Sequence, residues 1–301
     1  MKIFLYFSLY FILFLHCTKK VEAASLHALL VSDTVGGEFE FTSSVDYMQR
    51  EVKKISAITG LTLKGLVFEG WQVQIDNILS EISKLTIEPD DVVLVYFTMH
   101  GCRSREKISK WPDLIFTINA ANYNSYLDFQ KVNDLILAKR PRFFLALAES
   151  CNTFREKDNT FLADEEDING ENEAISYLPS PSYNKIFFSD IEMNLYNGCT
   201  EEDEIDLYHK LFCCEKGSVI VSSSSPGETA IKYPIIGGIF TIKFLESLHR
   251  FSFVKNFLGE EFKGNDWELI LGLASAMTQE ELALKGDFQT PQFDVHLDNF
   301  P

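Results

Sequence analysis

The sequence predicts an α/β fold, a mainly parallel sheet with helices on both faces. Three observations predict it. Two runs, VVLVYFT (92–98) and FFLALA (143–148), are apolar at every position, as strands buried on both faces are. Segments with apolar residues at three- and four-residue spacing, the mark of amphipathic helices, alternate with strand candidates. Most connections are short, as in repeated strand–helix units.

The elements follow in order. LHALLVS (26–32) reads as the first strand. Val45, Met48, Val52 and Ile55 give 45–58 one apolar face, hence a helix. LKGLVF (63–68) is the second strand, and 71–85 a helix with Trp71, Ile75, Ile78, Ile82 and Leu85 along one side. Pro89-Asp90-Asp91 punctuates before the strand at 92–98. DLIFTI (113–118) reads as a short strand or ribbon, and 128–139 as a helix through Phe129, Val132, Leu135 and Ile136. Pro141 precedes the strand at 143–148. Residues 155–184 are polar, acidic and weakly periodic, too long for an ordinary connection and so an insert or linker. The pattern then resumes with a short helix at 204–214, a strand at 218–223 and a helix at 237–248 opened by two glycines. Helical stretches near 254–261 and 267–284 lead to an extended aromatic end.

Composition narrows the function. With 46% hydrophobic residues among 301, the chain has ample material for a core. A formal charge of −17 argues against a nucleic-acid binder, which needs clustered Lys and Arg to neutralise phosphates. Lys2, the apolar run 3–17 and Val21-Glu22-Ala23 have the order of a secretory signal peptide. The mature chain is therefore expected outside the cytoplasm and off the membrane. An uncleaved anchor is the alternative, although the run falls short of the roughly 20 residues a spanning helix needs. Three regions result: 1–23 as signal, 24–250 as the domain, and 251–301 as an extension packed on it.

No CxxC, HExxH, GxGxxG or GxxxxGK[ST] occurs, so neither a metal nor a cofactor is expected. Past residue 23 the cysteines are Cys102, Cys151, Cys199, Cys213 and Cys214. An odd number in an exported chain leaves at least one thiol unpaired or reactive. Cys199, Cys213 and Cys214 fit either structural disulfides or core positions.

In parallel sheets, sites form beyond the carboxyl ends of the strands. One apolar strand here ends in His100-Gly101, another in Glu149-Ser150-Cys151. A thiol needs a base to become a thiolate, and imidazole is the natural partner. The N–H groups of Gly101 and Cys151 are candidate donors to a developing oxyanion. Nucleophile, base and two donors make a complete acyl-transfer site.

Three ordered segments resemble one family. DDVVLVYFTMHG is similar to the histidine strand of the caspase and legumain clan. FFLALAESCNTF resembles its cysteine strand. SVIVSSSSPGETAIKYPIIGGIFTIKFLESL resembles the small-subunit strand, Pro-Gly turn and following helix. The flanks depart from the family's usual forms: Asn-Thr follows the cysteine, and Met99 precedes the histidine.

The resemblance implies a caspase-like three-layer α/β/α sandwich with a mainly parallel six-stranded sheet. It implies a cysteine endopeptidase, monomer or homodimer, acting on protein or peptide substrates. His100 would be the base, Cys151 the nucleophile, and Gly101 with Cys151 the oxyanion donors. Glu228, Glu149 and Ser224 would contact substrate, with Glu228 favouring cleavage after a basic residue although Lys232 points the other way. Arg155, Lys157 and Lys185 would be candidate self-cleavage points. A catalytically silent scaffold and a transpeptidase or ligase are the alternatives.

Overall fold

A computed structural model describes residues 24–34, 39–116, 125–155, 200–233, 235–258 and 265–298. The expected signal segment, most of the acidic linker, Lys157, Lys185 and Cys199 lie outside the described residues.

Six strands form one sheet: β1 (Ser25–Ser32), β2 (Thr62–Glu69), β3 (Val92–Thr98), β7 (Phe143–Glu149), β8 (Gly217–Ser222) and β11 (Gln292–Leu297). Their spatial order is β11-β8-β7-β3-β1-β2. All neighbours pair in parallel except β11, which runs antiparallel to β8. The mainly parallel six-stranded sheet is thus as expected. A second, three-stranded antiparallel sheet joins β4 (Gly101–Cys102), β5 (Asp113–Ile115) and β6 (Tyr126–Asp128). A small pair, β9 (Lys232–Tyr233) and β10 (Gly237–Gly238), follows the Pro-Gly turn.

Side chains that alternate along the main strands feed two cores. Val92, Leu94 and Tyr96 of β3 and Phe143, Leu145 and Leu147 of β7 enter one. That core is closed by α1 (Phe39–Thr59), α4 (Glu201–His209), α5 (Ile239–Leu258) and α6 (Asp266–Ala283). Val93, Val95 and Phe97 face the opposite way with Phe144, Ala146 and Ala148, beneath α2 (Ile75–Lys84) and α3 (Phe129–Leu137). This is the three-layer sandwich, and it explains why these strands carry no polar alternation.

Helix ends carry local signals. Thr200 and Asp203 form a reciprocal capping box that starts α4. Asp128 caps α3 and Asn265 caps α6 through side-chain bonds to backbone N–H groups. Histidine–carboxylate hydrogen bonds tie elements together: His27 to Asp91 at 3.0 Å, and Glu51 of α1 to His249 of α5 at 2.9 Å. Glu51 also accepts from the Tyr208 hydroxyl. The His249 imidazole and these bonds hold the Glu51 carboxyl below its usual range, outweighing the desolvation that raises it. Among the described residues no helix is long and apolar enough to cross a membrane.

Two expectations need correction. Trp71 lies on a 3-10 turn (Gly70–Gln72) before α2 begins, so it misses the helix's buried face and stands 75% exposed. The boundary at 250 falls inside α5, and the residues beyond it supply α6 and the sixth strand, so the sheet is incomplete without them.

Candidate active site

The site begins with strand register. In the β3–β7 pair, Thr98 lies opposite Glu149, an offset of 51 residues. Past both strand ends, a parallel bridge joins Arg103 to Phe154 at the same offset. The two loops therefore run side by side, with Met99 N–H donating to Glu149 O at 3.3 Å and Arg103 N–H to Thr153 O at 2.8 Å. His100 and Cys151 share that offset and lie between the two tie points. Adjacent strands are about 4.8 Å apart, so the pairing that builds the sheet also brings these two residues together.

Gly101 shows how close the loops approach. A Cβ there would meet Cys151 O at 2.2 Å and the Ser150 side chain at 2.9 Å. Glycine is required by this backbone contact, because any side chain would strike the cysteine loop. His100 is pinned by its carbonyl, which accepts from Ile115 N–H at 2.9 Å. Its ring meets Phe41 of α1 edge-on, with centroids 5.3 Å apart.

Around the nucleophile candidate the backbone is tied on both sides. Ser150 N–H donates to Ser223 Oγ at 3.1 Å, and Asn152 N–H to Glu228 O at 2.9 Å. Between them, the Cys151 N–H makes no hydrogen bond among the described residues. The half-buried thiol receives the Ala230 N–H at 3.4 Å and lies 3.9 Å from Ala230 O.

The serine run is a brace. Ser223 and Ser224 hydroxyls donate to Ser150 O at 3.3 and 2.8 Å, and Ser222 donates to Ser224 O at 3.1 Å. Ser224 is fully buried and its hydroxyl is committed to this bond, so its expected contact with substrate is not what that side chain does here. Glu228 also braces: one carboxylate oxygen accepts from Ser225 N–H at 3.2 Å and Thr290 N–H at 2.7 Å.

Glu149 is 1% exposed and covered by Gly238, where a Cβ would fall 2.4 Å from its carboxyl carbon. It accepts from Thr241 N–H at 2.7 Å and Thr241 Oγ1 at 2.9 Å in the first turn of α5, and Tyr96 hydroxyl pairs with Thr241 at 2.8 Å. Burial nevertheless pushes the Glu149 pKa up, against the pull of Lys232 and those bonds. The Lys232 ammonium lies 3.6 Å above the Phe41 ring and donates to Met99 O at 3.3 Å.

The structure thus gathers His100, Gly101, Cys151 and Glu149, and sets Ser224 and Glu228 behind them. Sequence reasoning missed Phe41, Ala230 and the C-terminal Gln289, whose amide accepts from Ile231 N–H at 2.7 Å and donates to Ser223 O at 2.8 Å. None has a motif to mark it. Cys102 is buried, which pushes its pKa up to about 11, so it makes a poor nucleophile. Cys102, Cys151, Cys213 and Cys214 are all free thiols. No cluster of three or more His, Cys, Asp or Glu that could hold a metal occurs among the described residues.

A sequence-family model, the caspase domain, matches residues 48–260. Two solved structures resemble the chain. A protein from Geobacter sulfurreducens does so at 12% identity and a TM-score of 0.45, over 92% of this chain and 94% of that one. Caspase-1 from Spodoptera frugiperda does so at 14% identity and a TM-score of 0.45, over 91% and 90%. No curated protein matches by sequence.

Proposed function

Because the chain belongs to the caspase-domain family, we propose that it is a cysteine endopeptidase acting through Cys151 and His100. The observation that supports this reading is the constant 51-residue register across the two loops, which puts His100 and Cys151 at matching positions on adjacent stretches of backbone. The Cys151 thiol gives its proton to His100 and the thiolate sulfur bonds to the scissile carbonyl carbon. The carbonyl oxygen takes up negative charge facing the Cys151 and Gly101 N–H groups. As the carbon–nitrogen bond breaks, His100 returns the proton to the leaving amine, leaving an acyl-enzyme. Water, deprotonated by His100, then frees the acid and regenerates the thiol.

Specificity follows the charges. Glu228 holds Ser225 and Thr290 N–H through one carboxylate oxygen, which makes it a brace of the turn as well as a negative charge near it. The Lys232 ammonium, which donates to Met99 O beside His100, is a positive charge at the site. This favours an acidic or neutral first specificity residue over a basic one. The same proposal takes protein or peptides as substrates, for an exported monomer or homodimer.

Fluorogenic peptides ending in Asp, Asn, Arg and Lys test it on the chain from residue 24 onward. Cleavage abolished in both Cys151→Ala and His100→Ala supports the dyad; cleavage unchanged in either rejects it. Lys232→Glu should turn the preference toward Arg and Lys.

A further inference from the structure

We propose that Gln289, in the segment between α6 and β11, is a positioning residue for the Cys151 thiol. The inference rests on the peptidase reading above. Gln289 is 0% exposed, in a stretch of the chain 138 residues from the cysteine. A buried primary amide is stable only with its donor and acceptor both satisfied. Gln289 meets that need by joining two points of one loop. Its carbonyl oxygen takes Ile231 N–H at 2.7 Å, and its amino group donates to Ser223 O at 2.8 Å.

Each point touches the nucleophile's surroundings. Ser223 Oγ receives Ser150 N–H, the residue before Cys151. Ile231 follows Ala230, whose N–H points at Cys151 Sγ from 3.4 Å. Gln289 therefore holds the loop at the width at which Ala230 N–H meets the sulfur. Neighbouring tail contacts reinforce the clamp: Thr290 N–H to Glu228, Ser225 Oγ to Thr290 O, and Gln292 to Ser225 Oγ. Lys285 donates to the Tyr233 hydroxyl at 2.6 Å, beyond the far end of the same loop.

The prediction concerns the thiolate. The titratable groups near Cys151 are His100 from the end of β3, Glu149 on its own strand, and Lys232 and Glu228 on the loop. Replacing Gln289 by an uncharged side chain alters none of them. Without the clamp, Ala230 N–H leaves the sulfur and the thiolate loses a donor.

The test is peptide-resolved alkylation of Cys151 by iodoacetamide across pH, in the full chain. Gln289→Met keeps length and removes both hydrogen bonds; Gln279→Ala, on the exposed side of α6, is the control. In Gln289→Met the alkylation midpoint should rise by about one pH unit, giving roughly tenfold slower modification at pH 7. The control should match wild type. An unmoved midpoint in folded Gln289→Met overturns the proposal. Should that variant not fold, hydrogen exchange on the wild type decides. Ala230 and Ile231 amides protected like those of β8 support the clamp, and exchange at open-loop rates overturns it. A wild type that cleaves no peptide but shows the Gln289-dependent midpoint loses the peptidase reading and keeps this inference. One that cleaves peptides with an unmoved midpoint does the reverse.

Discussion

Replacing Gly101 by alanine tests the contact between the histidine and cysteine loops. At a position whose backbone any residue can adopt, Gly→Ala stabilises a protein by about 0.4–1 kcal/mol, through the unfolded chain. Gly101 is not among the glycines with positive φ, so conformation alone predicts that gain. Space predicts the opposite. The new Cβ would lie 2.2 Å from Cys151 O and 2.9 Å from Ser150 Cβ and Oγ. Ordinary carbon contacts fall at about 3.5–4.0 Å, so the loops must part by more than about 1 Å. Backbone resists that movement on both sides, because Met99 and Arg103 are bonded to the cysteine loop above and below. Forced overpacking costs about 1–3 kcal/mol. A displacement of this size between reacting groups costs about 100-fold in rate. The assay is kcat/KM on the best peptide, with Tm measured alongside. We expect a Tm several degrees lower and activity down about two orders of magnitude in fully folded protein. Wild-type kcat/KM in Gly101→Ala would refute the proposed proximity of the two loops.

Other predictions follow from buried charge. The Glu149 pKa is raised on folding, so the folded state binds the proton more tightly and stability falls as pH rises above the ordinary carboxylate range. Glu149→Gln should therefore gain Tm over wild type at pH 7–8, and the gain should shrink toward pH 4. Glu51 has the opposite sign: its lowered pKa gives stability that is present at neutral pH and lost as pH falls through the folded value. Removing one partner of a buried pair costs about 3–5 kcal/mol. Because His249 is 27% exposed and can take water, Glu51→Ala should cost nearer about 2–3 kcal/mol in urea unfolding at pH 7. That cost should shrink as pH falls through the folded value of Glu51.

The sheet was legible in sequence because it is written locally, and so were the two strand ends that carry the proposed dyad. A strand buried on both faces shows as an unbroken apolar run, and the residue after it shows as the first polar group. Equal offsets then carry the strand pairing into the loops. The braces were not legible. Ala230 acts through its backbone N–H, which any residue would supply. Gln289 lies in a polar tail with no periodicity, and only the antiparallel return of β11 brings it under the loop. Glu228 looked like a pocket residue because it follows the Pro-Gly turn. One of its carboxylate oxygens also holds Thr290 N–H, a partner far along the chain. Trp71 misled because its spacing fits a helix that begins only at Ile75.

The central claim is that Cys151 is a nucleophile activated by His100. The most direct measurement is to react the protein at pH 7 with a peptidyl acyloxymethyl ketone and locate the adduct by mass spectrometry. The account predicts one adduct, on Cys151, formed far more slowly in His100→Ala. An adduct on Cys213 or Cys214 alone, or labelling of Cys151 at the same rate without His100, would contradict it.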